Sequence, residues 1–204
     1  MERIGVLGGT FDPPHIGHLA AAEDAASTLH LDKVLFVPNR VPPHKADQLV
    51  SPVADRLAMV ELCTGDNPCF VLSKVELERP GPSYTLDTMR QLRRQLGSAE
   101  ELFFLTGCDS IVALHTWHQP ETLLQEFRVV VLDRPIASPI NWAELELRFP
   151  HIREQVEVLD VPLLEISSQQ LRHRVAEGRP IRYYVLPTVD DYIRDHKLYR
   201  HAHP

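Results

Sequence analysis

Short aliphatic runs alternate with helical repeats along the chain. Ile4 to Leu7 is a compact apolar run of the buried-strand kind, and Leu19 to Leu29 after it is an alanine-rich helical pattern. Lys33-Val-Leu-Phe-Val-Pro38 predicts a second buried strand, ended by a proline that cannot donate to a ladder. Ser51-Pro52 has the form of an N-cap with proline at the first helical position, opening a helix through Leu57, Val60 and Leu62 toward Gly65. Phe70 to Glu78 alternates and predicts a strand at or near a sheet edge, closed by Arg79-Pro-Gly-Pro82. Leu86, Met89, Leu92 and Leu96 recur at helical spacing until Gly97, with Ser83 or Thr85 as the expected cap.

The second half continues the alternation. Glu101 to Thr106 predicts a central strand running into the polar turn Gly107-Cys108-Asp109-Ser110. His115-Thr-Trp-His-Gln-Pro120 interrupts the pattern and leaves Trp117 in a loop. A short helix through Leu123 and Leu124 follows, then a strand over Phe127 to Leu132 that ends at Asp133-Arg134-Pro135. Residues 136 to 152 read as one amphipathic helix, Val156 to Leu159 as a short strand, and Ile166 to Arg172 as a helix start that Gly178 stops. Val189 to Leu198 predicts a last helix, acidic at its start and basic at its end, in keeping with the helix dipole. Five or six strands alternating with helices define an α/β class with a doubly wound, mostly parallel, Rossmann-like sheet in a single domain, 1–204. In such a sheet the turns Gly8–His18, Asn39–Lys45, Gly107–Ser110 and Asp133–Arg134 all leave strand carboxyl ends, where a ligand crevice opens at the change of strand order.

Composition narrows the choices. At 204 residues with 44% hydrophobic content, the chain can bury one sizeable core unaided. No apolar run approaches the ~20 residues of a membrane helix, and Met1-Glu2-Arg3 enters a strand directly, so a soluble, cytoplasmic protein is expected. Three cysteines without a CxxC pair read as reduced, buried thiols. A formal charge of −7 argues against a broad nucleic-acid footprint, but small phosphorylated ligands need only a local positive pocket. No Cys/His quartet or acidic pair has metal-ligand spacing.

The candidate chemistry centres on Gly8-Gly9-Thr10-Phe11-Asp12-Pro13-Pro14-His15-Ile16-Gly17-His18. A lone His-x-Gly-His is weak, since a histidine at a helix start is commonly just a surface residue. Its context strengthens it. It falls between a strand and a helix, where unpaired backbone N–H groups attract anions. Gly8 and Gly9 permit close backbone approach, and Gly17 removes the side chain between two imidazoles almost one turn apart. Taken alone, Lys45 reads as a solvated loop lysine, Ser167 and Ser168 as caps, Asp109 as a turn residue and Trp117 as core.

This stretch resembles the signature of the HxGH nucleotidyltransferase superfamily, and its spelling is similar to that of the nicotinate mononucleotide adenylyltransferases of bacterial NAD synthesis. Asn39 with Pro42-Pro43-His44-Lys45, Ser83-Tyr84-Thr85, Gly107-x-Asp109-Ser110, Trp117, Arg134-Pro135, Ile166-Ser-Ser-x-x-Leu-Arg172 and Tyr192-Ile193…Leu198-Tyr199 follow in that family's order. The departures are Cys108 for a small residue, Gln169 for threonine, and His118 where an aromatic residue commonly follows the tryptophan.

The resemblance implies attack by the mononucleotide phosphate on the α-phosphorus of ATP, with Mg2+ arriving on the nucleotide. It implies catalytic roles for His15, His18, Lys45 and Arg172. ATP would be held by Gly8, Gly9, Thr10, Phe11, His15, His18, Asp109, Arg134, Ser167, Ser168 and Arg172, with Asp109 on a ribose hydroxyl. Nicotinate mononucleotide would be held by Asp12, Asn39, Lys45, Thr85 and Trp117, with Trp117 stacked on the ring and Thr85 at its carboxylate. Neutral nicotinamide would forfeit a charge-assisted hydrogen bond there, worth ~1.5–3 kcal/mol, so the acid is expected to be preferred. The nearest enzymatic rival is pantetheine-phosphate adenylyltransferase, which is not expected to carry Ser83-Tyr84-Thr85 or Trp117. A non-catalytic nucleotide sensor on the same fold is the rival from another class.

Overall fold

A computed structural model describes residues 1–40, 50–79, 81–133, 140–162 and 164–200. Its six strands are β1 (Arg3–Gly9), β2 (Lys33–Pro38), β3 (Phe70–Leu72), β4 (Glu101–Gly107), β5 (Arg128–Asp133) and β6 (Val156–Asp160). They lie in the order β3-β2-β1-β4-β5-β6, and every neighbouring pair is parallel. The chain runs outward from β1 to β3, then returns to start again beside β1 with β4. That reversal opens a crevice between the carboxyl ends of β1 and β4. The register pairs Leu7 with Leu105, so Gly8-Gly9 and Thr106-Gly107 emerge side by side at this edge.

Helices α1 (Ile16–Thr28), α2 (Val53–Thr64), α3 (Thr85–Leu96), α4 (Cys108–Val112), α5 (Pro120–Glu126), α6 (Trp142–Arg148), α7 (Ile152–Gln155), α8 (Ser168–Ala176) and α9 (Pro187–Asp195) surround the sheet. Alternate strand residues feed two separate cores, as the period of two requires. Val6, Val37, Phe104 and Val131 pack with Leu86, Met89 and Leu92 of α3. Leu7, Phe36, Phe103, Leu105 and Val130 pack with Ala21, Ala22, Ala25 and Ala26 of α1, whose small side chains let that helix lie close to the sheet. A third cluster joins Met59 and Cys63 of α2 to Leu171 of α8 and to Val189 and Ile193 of α9. Leu19 packs against both the second and third clusters and ties the last helices to α1.

Some boundaries differ from the sequence pattern, each for a local reason. The strand expected over Phe70–Glu78 ends at Leu72, because the chain turns and sends Val75 and Glu76 inward. The single helix expected over 136–152 is two, α6 and α7, with 136–139 outside the described residues. Pro150 separates them: it disfavours helical geometry at Phe149 (φ −127°), and His151 follows in the left-handed region at φ 68°. Helix α2 starts at Val53 with Pro52 as its N-cap, one residue beyond the Ser51 expected. Helix α3 is capped by Tyr84 without a side-chain bond, rather than by Ser83 or Thr85. The last helix is set two or three residues earlier, opening on Pro187.

Among the described residues no helix is long and apolar enough to cross a membrane. No disulfide joins the cysteines. Burial between α2 and the carboxyl-terminal helices pushes the Cys63 thiol up to about 12. Cys63 is therefore expected to resist iodoacetamide in the native protein at pH 8 and to be alkylated once the protein is unfolded in urea, as read by peptide mass mapping.

Candidate active site

The loop after β1 is held from below. Asp12 is 1% exposed; its carboxylate accepts the Tyr199 hydroxyl at 2.6 Å on Oδ1 and the Ser51 N–H at 3.0 Å on Oδ2. Beside it Arg56, equally buried, donates to the carbonyls of Thr10 and Asn39 at 2.9 Å each and of Ser51 at 3.2 Å. Burial lowers the Arg56 pKa from its usual value, and the charge of Asp12 opposes that shift. Burial and the neighbouring Asp12 carboxylate push the Tyr199 hydroxyl well up. These bonds commit both oxygens of Asp12 to the protein. Asp12, for which the resemblance implied a mononucleotide contact, thus has a supporting role in the loop.

Phe11 is also inside, 2% exposed, with its ring edge-on to His18 at 5.1 Å and tilted against Phe36 at 5.7 Å. It backs the motif, and its ring is no surface for ATP. Gly9 suits the same packing: a Cβ there would meet the Phe11 ring at 3.0 Å, and the ring would have to give by a few tenths of an ångström.

On this floor sit the two histidines. His15 caps α1 and is 3% exposed; His18 lies in the first turn and is half-buried. Their rings stack with centroids 3.7 Å apart. The His15 N–H donates to His18 Nδ1 at 3.1 Å, so in neutral His18 the ring proton sits on Nε2. Gly17 gives the imidazoles their room, since a Cβ on it would stand 3.0 Å from His15 Nδ1.

The start of α8 closes over the same loop. Ser167 caps α8, accepting from Gln170 N at 3.2 Å while Gln170 Oε1 accepts from Ser167 N. Ser168 Oγ donates to the Pro13 carbonyl at 2.8 Å, and Arg172 donates to the Asp12 carbonyl at 2.7 Å. Two groups read from the sequence as phosphate contacts, Ser168 and Arg172, therefore converge on the histidine loop from 155 and 160 positions away.

On the opposite face of the sheet, under α3, lies a cavity of about 440 Å³. Gly8, Gly9, Asn39, Thr85, Asp109 and Trp117 line it, together with Phe104, Glu76, Ser83, Tyr84, Thr88 and His118. Asn39 is held by N–H donation to the Gly9 carbonyl at 2.9 Å, and its amide reaches Thr10 Oγ1 at 3.5 Å. Thr85 opens α3 and Asp109 is the second residue of α4, so both stand at helix starts beside the space. Trp117 stands edge-on to Phe104 at 5.6 Å, and His118 stacks on Tyr84 at 4.4 Å, forming a flat aromatic wall. Gly8-Gly9 is the crossing point between this cavity and the histidines. Asp109, read from sequence as an ATP contact, lines this cavity together with Thr85 and Trp117. Lys45 and Arg134 lie outside the described residues.

Sequence reading missed Arg56 and Glu76, and it named Tyr84 and Tyr199 only as motif residues without a role. For Arg56 no signal was present, because a single arginine in a helix reads as solvated. His118 was noted only as a departure from a pattern. Among the described residues no three His, Cys, Asp or Glu side chains gather into a metal-holding group.

A wholly parallel sheet, a histidine pair at the first helix start and an aromatic-walled cavity at the switch point together define a nucleotidyltransferase site. The family described as cytidylyltransferase-like matches residues 6–174. A protein of Thermomicrobium roseum named "Probable nicotinate-nucleotide adenylyltransferase" is 44% identical over 200 residues, covering 98% of this chain and 92% of that protein. One of the same name from Symbiobacterium thermophilum is 43% identical, covering 98% and 96%. A solved structure of Plasmodium falciparum nicotinic acid mononucleotide adenylyltransferase complexed with NaAD superposes with a TM-score of 0.80 over 98% of both chains, at 21% identity, and shares the fold. The chain belongs to the nicotinate-nucleotide adenylyltransferase family within the cytidylyltransferase-like nucleotidyltransferases.

Two substitutions test this architecture. Arg56→Met leaves the carbonyls of Thr10, Asn39 and Ser51 buried without their donor, and unfolding in urea is expected to show a loss of about 3 kcal/mol. Gly17→Ala forces the His15 ring aside by a few tenths of an ångström; kcat is expected to fall about tenfold, with no drop in Tm because alanine favours the helix.

Proposed function

We propose that this protein transfers the adenylyl group of ATP to nicotinate mononucleotide, giving nicotinate adenine dinucleotide and pyrophosphate. A phosphate oxygen of the mononucleotide attacks the α-phosphorus of ATP; the bond to the bridging oxygen breaks, and pyrophosphate leaves with the electron pair. No protein nucleophile is needed. Positioning two polyanions in line and stabilising charge on the transferring phosphoryl group account for the catalysis.

The observation that carries this reading is the pairing of the cavity with the histidines across Gly8-Gly9. The cavity takes the mononucleotide, its ring against Trp117, its carboxylate at the start of α3 beside Thr85, and Asn39 on its polar side. ATP lies over the histidine loop, its α-phosphate at His15 and His18. The backbone of Gly8, Gly9 and Thr10, and the groups Ser167, Ser168 and Arg172, lie along the phosphates. Asp109 takes a ribose hydroxyl, and Lys45 and Arg134 are the further cations that the resemblance implies. Arg172 and Ser168 reach the triphosphate by exchanging carbonyl partners for phosphate oxygens, which favours them as charge-assisted donors. Mg2+ accompanies ATP and keeps its coordination from phosphate and water; no protein ligand is assigned to it. The reading places the protein in the cytoplasm, in NAD synthesis.

Incubation with ATP and Mg2+ against nicotinate mononucleotide, nicotinamide mononucleotide and phosphopantetheine in parallel tests the assignment. Pyrophosphate release is expected fastest with nicotinate mononucleotide. Release with phosphopantetheine alone would replace the reading with the pantetheine-phosphate enzyme, and binding without release in every tube would leave a nucleotide sensor. His18→Ala is expected to lower kcat by about 10²–10³-fold with an unchanged unfolding midpoint, as loss of a transition-state donor does.

A further inference from the structure

Glu76 is the one carboxyl group in the cavity that is both buried and incompletely bonded among the described residues. It is 8% exposed, in the inward turn after β3. Its Oε2 atom has no hydrogen-bond partner, although the Ser83 hydroxyl stands near enough to ease a charge there. Its Oε1 atom lies 2.7 Å from Thr88 Oγ1.

Thr88 has a second claim on its proton. Its hydroxyl is 3.1 Å from the Tyr84 carbonyl one turn earlier, and it accepts from Arg79 at 3.4 Å. One hydroxyl carries one proton and cannot donate to both Tyr84 and Glu76. The Tyr84 carbonyl already accepts the Thr88 N–H at 3.1 Å, and a proton on Glu76 lets both hydroxyl contacts form as well: Glu76 then donates to Thr88, and Thr88 donates to Tyr84. Burial also pushes the Glu76 carboxyl up from the usual carboxylate range, against the opposing influence of Ser83, Thr88 and Arg79. The titratable groups facing it are Arg79 on its own segment, Tyr84 at the start of α3, Asp109 on α4, and His118.

We propose that Glu76 is a specificity residue that must be protonated for the cavity to take nicotinate mononucleotide, and that its ionisation turns the site away from the acid and toward the amide. The proposal rests on the reading that this cavity holds the mononucleotide. The chemistry is a matter of donors. A nicotinate ring carboxylate brings no proton to an orphan oxygen and, beside an ionised Glu76, would set two anions in one low-dielectric space. A neutral Glu76 removes the repulsion. A nicotinamide ring brings an NH2 group, which an ionised Glu76 accepts.

The test is the ratio of kcat/KM for nicotinate mononucleotide to that for nicotinamide mononucleotide, measured from pH 5 to 8.5. Titration of the 5′-phosphate is common to both substrates and cancels in the ratio. In the wild-type enzyme the ratio is expected to fall at least tenfold as pH rises, while in Glu76→Gln, neutral at every pH, it stays flat at the low-pH value. A flat wild-type ratio, or a Gln variant that keeps the slope, overturns the proposal and leaves the adenylyltransferase reading standing. Absence of turnover with both mononucleotides overturns that reading and this proposal with it. If Glu76→Gln does not fold, calorimetry on the wild-type enzyme in two buffers of different ionisation enthalpy reads the same proton. More proton uptake with the acid than with the amide supports the assignment, and equal uptake overturns it.

Discussion

The buried cluster of Arg56, Asp12 and Tyr199 around the loop after β1 is the constraint on which the active site depends. The segment from Thr10 to His15 has no ladder of its own, so its carbonyls and its one carboxylate need partners from elsewhere. Arg56 supplies donors to Thr10 and Asn39, Tyr199 and the Ser51 N–H satisfy Asp12, and Ser168 and Arg172 hold the carbonyls of Pro13 and Asp12. An unpaired guanidinium or carboxylate at this depth would cost several kcal/mol, which makes the arrangement close to all-or-none. The histidines inherit their positions from it.

The sheet supplies the other half of the geometry. Because strand order reverses between β1 and β4, one glycine pair at the end of β1 serves two compartments: a phosphate-facing helix start on the α1 face, and a ring-sized cavity on the α3 face. Each face has its own core, so each compartment rests on separate packing. The transferring phosphoryl group belongs where the two meet.

The strands were the most legible feature, since uninterrupted aliphatic runs such as Val34–Val37 and Val129–Leu132 have no other economical reading in an α/β chain. The motif was legible for a different reason: Gly8, Gly9 and Gly17 stand where side chains would collide or block approach. What escaped were residues whose role depends on tertiary context. Asp12 and Phe11 sit inside the motif and look like ligand contacts, yet one is consumed by Tyr199 and Ser51 and the other by the core. Glu76 falls at a polar position of an alternating pattern, which gave it to solvent, whereas the turn after Leu72 carries it inside. Arg56 could not be told from a surface arginine, because its partners are backbone carbonyls of a loop far away in sequence.

The bond between Tyr199 and Asp12 spans 187 positions, and that has a bearing on the order in which the protein becomes competent during synthesis. The loop carrying the histidines leaves the ribosome well before the hydroxyl that completes its floor. Amino-terminal strands can begin to pair as they emerge. Asp12 must nevertheless remain hydrated until the segment after α9 arrives. A chain interrupted short of Tyr199 could carry the whole sheet and both histidines and still lack a finished site, so the catalyst is built only once synthesis has passed the segment that follows α9.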